Sequence, residues 1–563
     1  MKKKLAYLAL LIIPTLSLTA CSDFFDMFYF GGNGNEHGGY NSISTPPAGD
    51  NTPHYAPTEY TYASYVKNNA YPISSTPAVG NAKLLVIPVW FTNSNSFVNV
   101  SKRDGVREDI EKTYFGTPEE TGWHSVKSYY EYESHGRLTI TGTVSDWYEC
   151  GKEYTYYAVD DEIDSSGNVP KTRALLNSAM TWYFNNHPED STRNYDCDHD
   201  GYIDGIMLIY AAPDFQALNV SGYSNLWAYC YWIQNKNVKN TNDPGVNAFF
   251  WASYDFMYGS SKVASRTGSH YSNGDTSHCN VDGHTFIHEM GHMFGLLDYY
   301  DYSKQYDPAG SFSMQDSNIG GHDPFSSFAL GWGQAYVPNE STTIDLKPFA
   351  TSGELIVLKP NPEDHSYSPF DEYLVLEYYT PTGLNEFDAT HKYMSSESKD
   401  YCMGSQTPGI RLWHVDARLL YPKSLVGGRY TFDPSRIVND PSFVNTYGVM
   451  LMETNTYYKP GVSDDYLSPL GRDYADYNIL HLIRNSASLS DKAPVRSGNS
   501  FSPASLFTMG DTFSMSKYHK QFVEEQVVDG VETGLFNSGS QLPFTFEVNG
   551  CMEEFASITI TKL

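Results

Sequence analysis

The apolar pattern of the chain predicts two folded regions: an α/β region with a largely parallel sheet over 79–337, then a β-rich region over 338–563, expected to be a sandwich. Three observations carry this. Short apolar runs alternate with helical patterns up to about residue 337. Beyond that point only strand-like runs recur. And 563 residues are too many for one core, since a domain usually holds roughly 100–200.

Composition sets the outer bounds. Apolar residues make up 40% and aromatics 15%, which supplies enough material for burial to exclude wholesale disorder. The 66 acidic side chains against 37 basic ones give a net charge of −29. Such a surface repels phosphate backbones, so nucleic acid is excluded as a partner. It suits an exported protein that binds divalent cations.

Taken in order, the chain opens with an address. Lys2, Lys3 and Lys4 precede an apolar stretch, Leu5 to Leu18, too short to span a bilayer. Leu18-Thr19-Ala20-Cys21 resembles a bacterial lipobox, which implies a signal peptide over 1–20 and a lipid on Cys21 that holds the protein to a membrane. Residues 21–78 are rich in Gly, Asn, Ser, Pro and Tyr and read as a flexible tether. Lys83 to Phe91 is an apolar run fit for a buried strand. Ser125 to Glu133 reads as a helix, ended by Gly136, with a strand from Leu138 to Gly142. Pro170 opens a helix that carries Ala174, Leu175, Ala179, Met180 and Tyr183 at helical spacing. Gly205 to Tyr210 is another buried strand, and a strand near Phe249 to Tyr254 is expected at the sheet edge. In the second region strands are expected over Glu354–Leu358, Tyr373–Tyr379, Ile410–Val415 and Ile558–Thr561. His414 and His481 lie in apolar stretches and read as packed core histidines. Beyond Cys21, six cysteines (150, 197, 230, 279, 402 and 551) permit disulfides, but none forms a Cys-x-x-Cys pair.

The chemistry concentrates in His288-Glu289-Met290-Gly291-His292. Four residues make about one helical turn, so both imidazoles face one side and can share an ion. Neutral imidazole suits Zn²⁺, and Glu289 is placed to act as general base on a zinc-activated water. Gly295 can end the helix in a left-handed turn, which lets Asp298 return as a third ligand, with Asp301 as its rival. A second acidic segment, Asp196 to Asp204, has the spacing of a calcium loop. Asp196, Asp198, Asp200 and Asp204 would supply carboxylates and Tyr202 its carbonyl, to a structural Ca²⁺. A strand follows where an EF-hand would place a helix.

The stretch His-Glu-x-x-His-x-x-Gly-x-x-Asp resembles the metzincin clan, and more narrowly the immune inhibitor A-type secreted metallopeptidases. Ser125 to Gly142, Gly295 to Asp301, Ser311-Phe312-Ser313-Met314 and Leu330-Gly331-Trp332 are similar to stretches of that family, and Gly409 to Asp416 resembles a strand of its β-domain. The resemblance implies a metzincin-like fold for 79–337, an acidic calcium loop and a Met-turn at Met314 beneath the zinc. No Tyr stands just beyond Met314, and His322 is the nearby candidate for stabilising the transition state. The combined reading is a cell-surface zinc endopeptidase acting on extracellular proteins or peptides. Two rivals stand beside it: a zinc hydrolase of cell-wall or glycan-linked amides, and a non-catalytic surface adhesin.

Overall fold

The computed structural model describes residues 51–68, 76–159, 170–220, 222–233, 238–258, 281–301, 308–310, 312–364, 366–390, 393–394, 400–401, 404–426, 429–438, 449–450, 477–485 and 505–563. The signal segment 1–20 and Cys21 lie outside the described residues, as do Cys279, Cys402 and Ser311.

Part of the expected tether is folded. His54–Tyr55 (β1) pairs antiparallel with Gln334 and Ala335. Helix Tyr62–Asn68 (α1) lays Tyr62 and Tyr65 against Phe370, and Tyr62 also meets Phe325. The tether reading of 21–78 is therefore corrected over 51–68. The polar composition of the segment masked three aromatic anchors, Tyr60, Tyr62 and Tyr65, all buried.

The α/β region follows the expected order: β2 (Gly80–Trp90), α2 (Arg103–Phe115), α3 (Val126–Glu133), β3 (Leu138–Val144), α4 (Pro170–Asn186), β4 (Gly205–Tyr210), β5 (Tyr229–Trp232) and β6 (Ala248–Ser253). Ser125 starts α3 as a cap: its hydroxyl accepts the Ser128 N–H while the Ser128 side chain accepts the Ser125 N–H. The strands align as β3-β2-β4-β6-β5, with β2, β3, β4 and β6 parallel and β5 antiparallel to β6. This corrects the expected edge. The strand around Phe249 lies between β4 and β5, and β5 is the edge among the described residues. Both strands are buried apolar runs, so periodicity alone does not tell which is outermost. Helix α4 covers one face with Leu175, Leu176 and Ala179. On the other face lies α5 (His284–Met293), whose Phe286, Met290 and Met293 join Met207 and Phe250 in one core.

After α5 come α6 (Met314–Ser317), α7 (Pro324–Ala329), β7 (Gln334–Tyr336), β8 (Thr342–Leu346), β9 (Glu354–Leu358), β10 (Glu372–Tyr379), α8 (Leu384–Thr390), β11 (Gly409–Asp416) and β12 (Leu480–Ile483). A second sheet runs β1-β7-β9-β10-β11-β12. A third joins Thr512–Phe513 (β13), Phe544–Cys551 (β14) and Ala556–Lys562 (β15) to β8. One face of the second sheet, with Leu358, Leu374, Leu376 and Leu412, shares a core with Leu346, Phe546, Val548 and Ile558 of the third. Its other face carries Tyr373, Val375, Trp413 and Val415 into the same cluster as Phe294, Phe325, Phe328 and Trp332. The two regions are thus welded through a common interior. His414 and His481 are buried and face each other across β11 and β12, with His414 Nε2 3.0 Å from Glu372. The described cysteines 150, 197, 230 and 551 are unpaired thiols.

Candidate metal centre

Helix α5 begins on a side-chain brace. Asp282 accepts the His284 N–H at 3.0 Å and lies 2.9 Å from the His284 ring, which stacks on Trp123 at 3.8 Å. Its buried Phe286, Ile287, Met290 and Met293 fix the helix against the sheet, which turns His288 and His292 to a common side. The two imidazoles stand 4.9 Å apart, edge to face. Gly295 takes φ +99°, open to glycine at little cost, and the chain doubles back. That reversal places the Leu296 carbonyl 2.8 Å from His292 Nδ1 and brings Asp298 over the imidazoles.

Asp298 Oδ1 lies 3.0 Å from His288 Nε2 and 3.3 Å from His292 Nε2. Ligands about 2.0–2.1 Å from a tetrahedral ion stand about 3.3 Å from each other, so the spacing fits a shared cation. The tautomers fit as well. His288 Nδ1 is 2.8 Å from the Met314 carbonyl, and His292 Nδ1 has its carbonyl at Leu296. Donation from both Nδ1–H groups leaves both Nε2 lone pairs for metal. All three side chains are buried. Asp301 is buried too but is not part of this group.

The side chains alone set clear electrostatic tendencies. Burial pushes the Asp298 carboxyl up, yet His292 and His288 outweigh it and hold the group well below the carboxylate range. Burial pushes His292 down, but Asp298 and Glu289 raise it to about 9. For Glu289 burial dominates and lifts its pKa against the pull of His292 and His288. Its Oε2 is buried with no hydrogen-bond partner among the described residues, which leaves a basic oxygen beside the imidazoles.

The surroundings include residues that sequence reasoning missed. Met314 was expected as an apolar floor; it is fully buried, and its backbone carbonyl also orients His288. Gln315 lies against Gly291, where a Cβ would collide with Gln315 Oε1, and its Nε2 is 3.5 Å from His292 Nδ1. The glycine inside the His-Glu-x-x-His stretch was the available signal for this close approach. His322 is buried, with its ring stacked on Tyr130 at 5.8 Å and its N–H donated to Glu133 at 2.9 Å. Burial and then His288 and His292 push its pKa down to about 3. No hydrogen bond joins His322 to His288, His292 or Asp298 among the described residues.

The acidic loop gathers differently. Carboxylate oxygens of Asp196, Asp198 and Asp204 lie within 4.8 Å of one another, with Asp196 and Asp204 buried and Asp198 exposed. Asp204 spends its oxygens on the Cys197 N–H at 3.1 Å and the Lys83 N–H at 2.7 Å. Asp200 is outside that group; it accepts the Tyr202 N–H at 2.8 Å. Burial lifts Asp204 to about 7, and burial with Asp198 lifts Asp200 to about 6. His199, at φ +57°, is exposed.

Residues 99–323 match the family model of the immune inhibitor A peptidase M6 catalytic domain. The resemblance read from the motifs is borne out over that span. Among curated proteins, the pre-pro-metalloprotease PrtV of Vibrio cholerae serotype O1, in strains M66-2 and ATCC 39315, is 26% identical over 245 residues. That match covers 39% of this chain and 24% of the relative. The chain therefore spans about a quarter of the length of the curated relatives it matches. The candidate centre lies inside the matched span, and the strands of the second and third sheets lie outside it.

Proposed function

We propose that the chain is an exported zinc endopeptidase that hydrolyses peptide bonds of extracellular proteins and is held at the cell surface by a lipid on Cys21. The observation that carries this reading is the convergence of His288 Nε2, His292 Nε2 and Asp298 Oδ1 beside the unpartnered Glu289 Oε2. Zinc bound by the first three would supply a Lewis acid that polarises a carbonyl and acidifies water. Glu289 takes the proton of the attacking water and returns it to the departing amine. Met314 and Leu296 keep the imidazoles in the ligating tautomer through their carbonyls. The edge strand β5 gives an extended substrate a backbone to pair with; its Trp232 ring lies 6.4 Å from that of His292.

His322 remains a candidate stabiliser of the transition state in this reading, on the strength of its two ring nitrogens without hydrogen bonds. A structural Ca²⁺ at Asp196, Asp198 and Asp204, with Asp200 and the Tyr202 carbonyl as further oxygens, belongs to the same proposal. So do the metzincin-like arrangement of 79–337 and the sandwich of 338–563, supported by the mixed sheet and by the core common to the second and third sheets.

The test is a comparison of new peptide termini. A soluble form starting near residue 40 is incubated with a peptide library, zinc and calcium, beside Glu289→Gln. Termini produced only by the wild type support the peptidase and reveal its preference. Identical termini from both would sink it and favour a glycan-linked amide or a binding role.

A further inference from the structure

The segment 312–322 leads into α7 and carries Met314, so its position decides where the His288 ring points. Part of what holds it comes from nearby. Met314 N–H donates to the Gly321 carbonyl at 3.1 Å, and the Ser313 hydroxyl meets Asp323 at 3.2 Å. From α3, the Tyr129 hydroxyl donates to the Gly320 carbonyl at 3.1 Å, and Glu133 takes the His322 N–H. All of these residues lie within 99–323.

Further support comes from the β-rich region. Phe312 is buried, two residues ahead of Met314. The Arg411 guanidinium of β11 lies over its ring, 3.2 Å from the centroid, and over Tyr379 of β10 at 4.0 Å. Arg411 is itself 3% exposed and faces its cross-strand partner Glu377 at 3.2 Å. Glu377 also accepts the Trp413 indole N–H at 3.0 Å. A buried guanidinium is tolerated only when its charge and its faces are matched. Here Glu377 matches the charge, and one of the matched faces belongs to the segment that carries Met314. Phe312 and Ile319 complete this seat in a small cluster with Tyr379 and Leu506.

We propose that Arg411 is a positioning residue for the metal centre. Held by Glu377 and laid over Phe312, it fixes the segment whose Met314 carbonyl orients His288. The β-rich region is then one wall of the site rather than an appendage to it. This rests on the zinc-site reading above, and it predicts that an intact β-rich region is required for zinc retention.

The test compares two buried arginines of that region in the full chain. Arg418 pairs bidentately with Asp416 at 2.7 and 2.8 Å and makes no contact with 312–322 among the described residues. Zinc affinity is read by competition with a chromophoric chelator, geometry by the visible spectrum of the cobalt-substituted protein, and stability by thermal unfolding. Arg411→Ala is expected to weaken zinc retention and to lower kcat by about tenfold or more, as loss of support for a metal-bound imidazole does. KM should stay within about threefold, since no substrate contact is removed. Arg411→Lys keeps the charge for Glu377 without the flat fork and should fall between. Arg418→Ala should lower the melting temperature and leave zinc affinity at the wild-type value. Wild-type zinc affinity and cobalt spectrum in Arg411→Ala would overturn the proposal, as would an equal loss in Arg418→Ala. Should Arg411→Ala fail to fold, Arg411→Lys and Phe312→Leu carry the same comparison, and unchanged affinity in both overturns it. A wild type that binds zinc and cleaves no peptide would defeat the proposed activity, while the affinity comparison still decides the role of Arg411.

Discussion

The two candidate cation sites of this chain spend their acids in opposite ways. At His288, His292 and Asp298 the carboxylate is buried and faces two imidazoles whose other nitrogens are committed to backbone carbonyls. Both Nε2 atoms and Asp298 Oδ1 are left facing one another. At Asp196, Asp198 and Asp204 the carboxylates are partly consumed by the loop's own N–H groups, and Asp198 is exposed. The first arrangement suits a shared cation, and the second suits holding the loop that leads into β4. The difference predicts that damage to the first site shows in rate, and damage to the second in stability.

Glu289→Gln should make the first half of that contrast largest. It keeps the shape of the side chain and removes the base, so kcat should fall by about 10²–10⁴-fold. Zinc affinity and melting temperature should stay near wild type, because Glu289 is not among the three candidate ligands. A variant that cleaves as fast as wild type would leave the centre without a general base.

Gly291→Ala comes next and tests how tightly the first site is braced. The added methyl must displace Gln315, which lies where the Cβ would go and reaches toward His292. Overpacking of this kind costs typically about 1–3 kcal/mol. The expected outcome is a lower melting temperature together with weaker zinc retention. A stability loss with unchanged zinc affinity would show that Gln315 does not steady His292.

The acidic loop supplies the opposite case. Asp198 is exposed, and its Oδ1 accepts the Asp200 N–H at a long 3.2 Å. Asp198→Ala should therefore abolish most of the calcium-dependent rise in melting temperature while leaving the calcium-free protein close to wild type. Asp204 is buried and accepts two backbone N–H groups. Asp204→Ala should destabilise with or without calcium, by about 1–3 kcal/mol for the orphaned donors. Neither change should alter kcat at temperatures where the protein is folded. A matching loss of rate in Asp198→Ala would break the separation of the two sites.

How much of this was legible in the sequence follows from the distance between cooperating residues. His288, His292 and Asp298 lie within one turn-and-a-reversal, so spacing and Gly295 point to them directly. Strands β9 and β10 and helix α3 match the sequence reading nearly to the residue, because apolar pattern and the helix-ending Gly136 are local signals. The supports were not legible. Glu133 meets His322 across 189 residues, and Arg411 meets Phe312 from a strand of the second sheet. Nothing in the spacing of such pairs marks them. The edge strand and the tether failed for a related reason: an apolar run does not announce its neighbours, and three tyrosines in a polar stretch do not announce the surface they fill.

Glu133 completes the comparison, because it is a buried carboxyl paired with neither imidazole nor cation among the described residues. Its Oε1 accepts the His322 N–H and the Ser327 hydroxyl, and burial still lifts its pKa to about 8. A buried acid can be met by opposite charge, as Asp298 is, or by a proton, as Glu133 is. The sign of the consequence follows. A pKa raised from 4.5 to about 8 means the folded state favours the protonated form. That contribution is complete below the unfolded pKa and is lost as pH rises through the folded one. Glu133→Gln keeps an acceptor for His322 and Ser327 and cannot ionise. Its melting temperature should match or trail the wild type at about pH 5 and exceed it by a growing margin toward about pH 9. A margin that stays flat across that range would mean Glu133 is ionised in the folded protein, with the His322 N–H and Ser327 hydroxyl stabilising its charge.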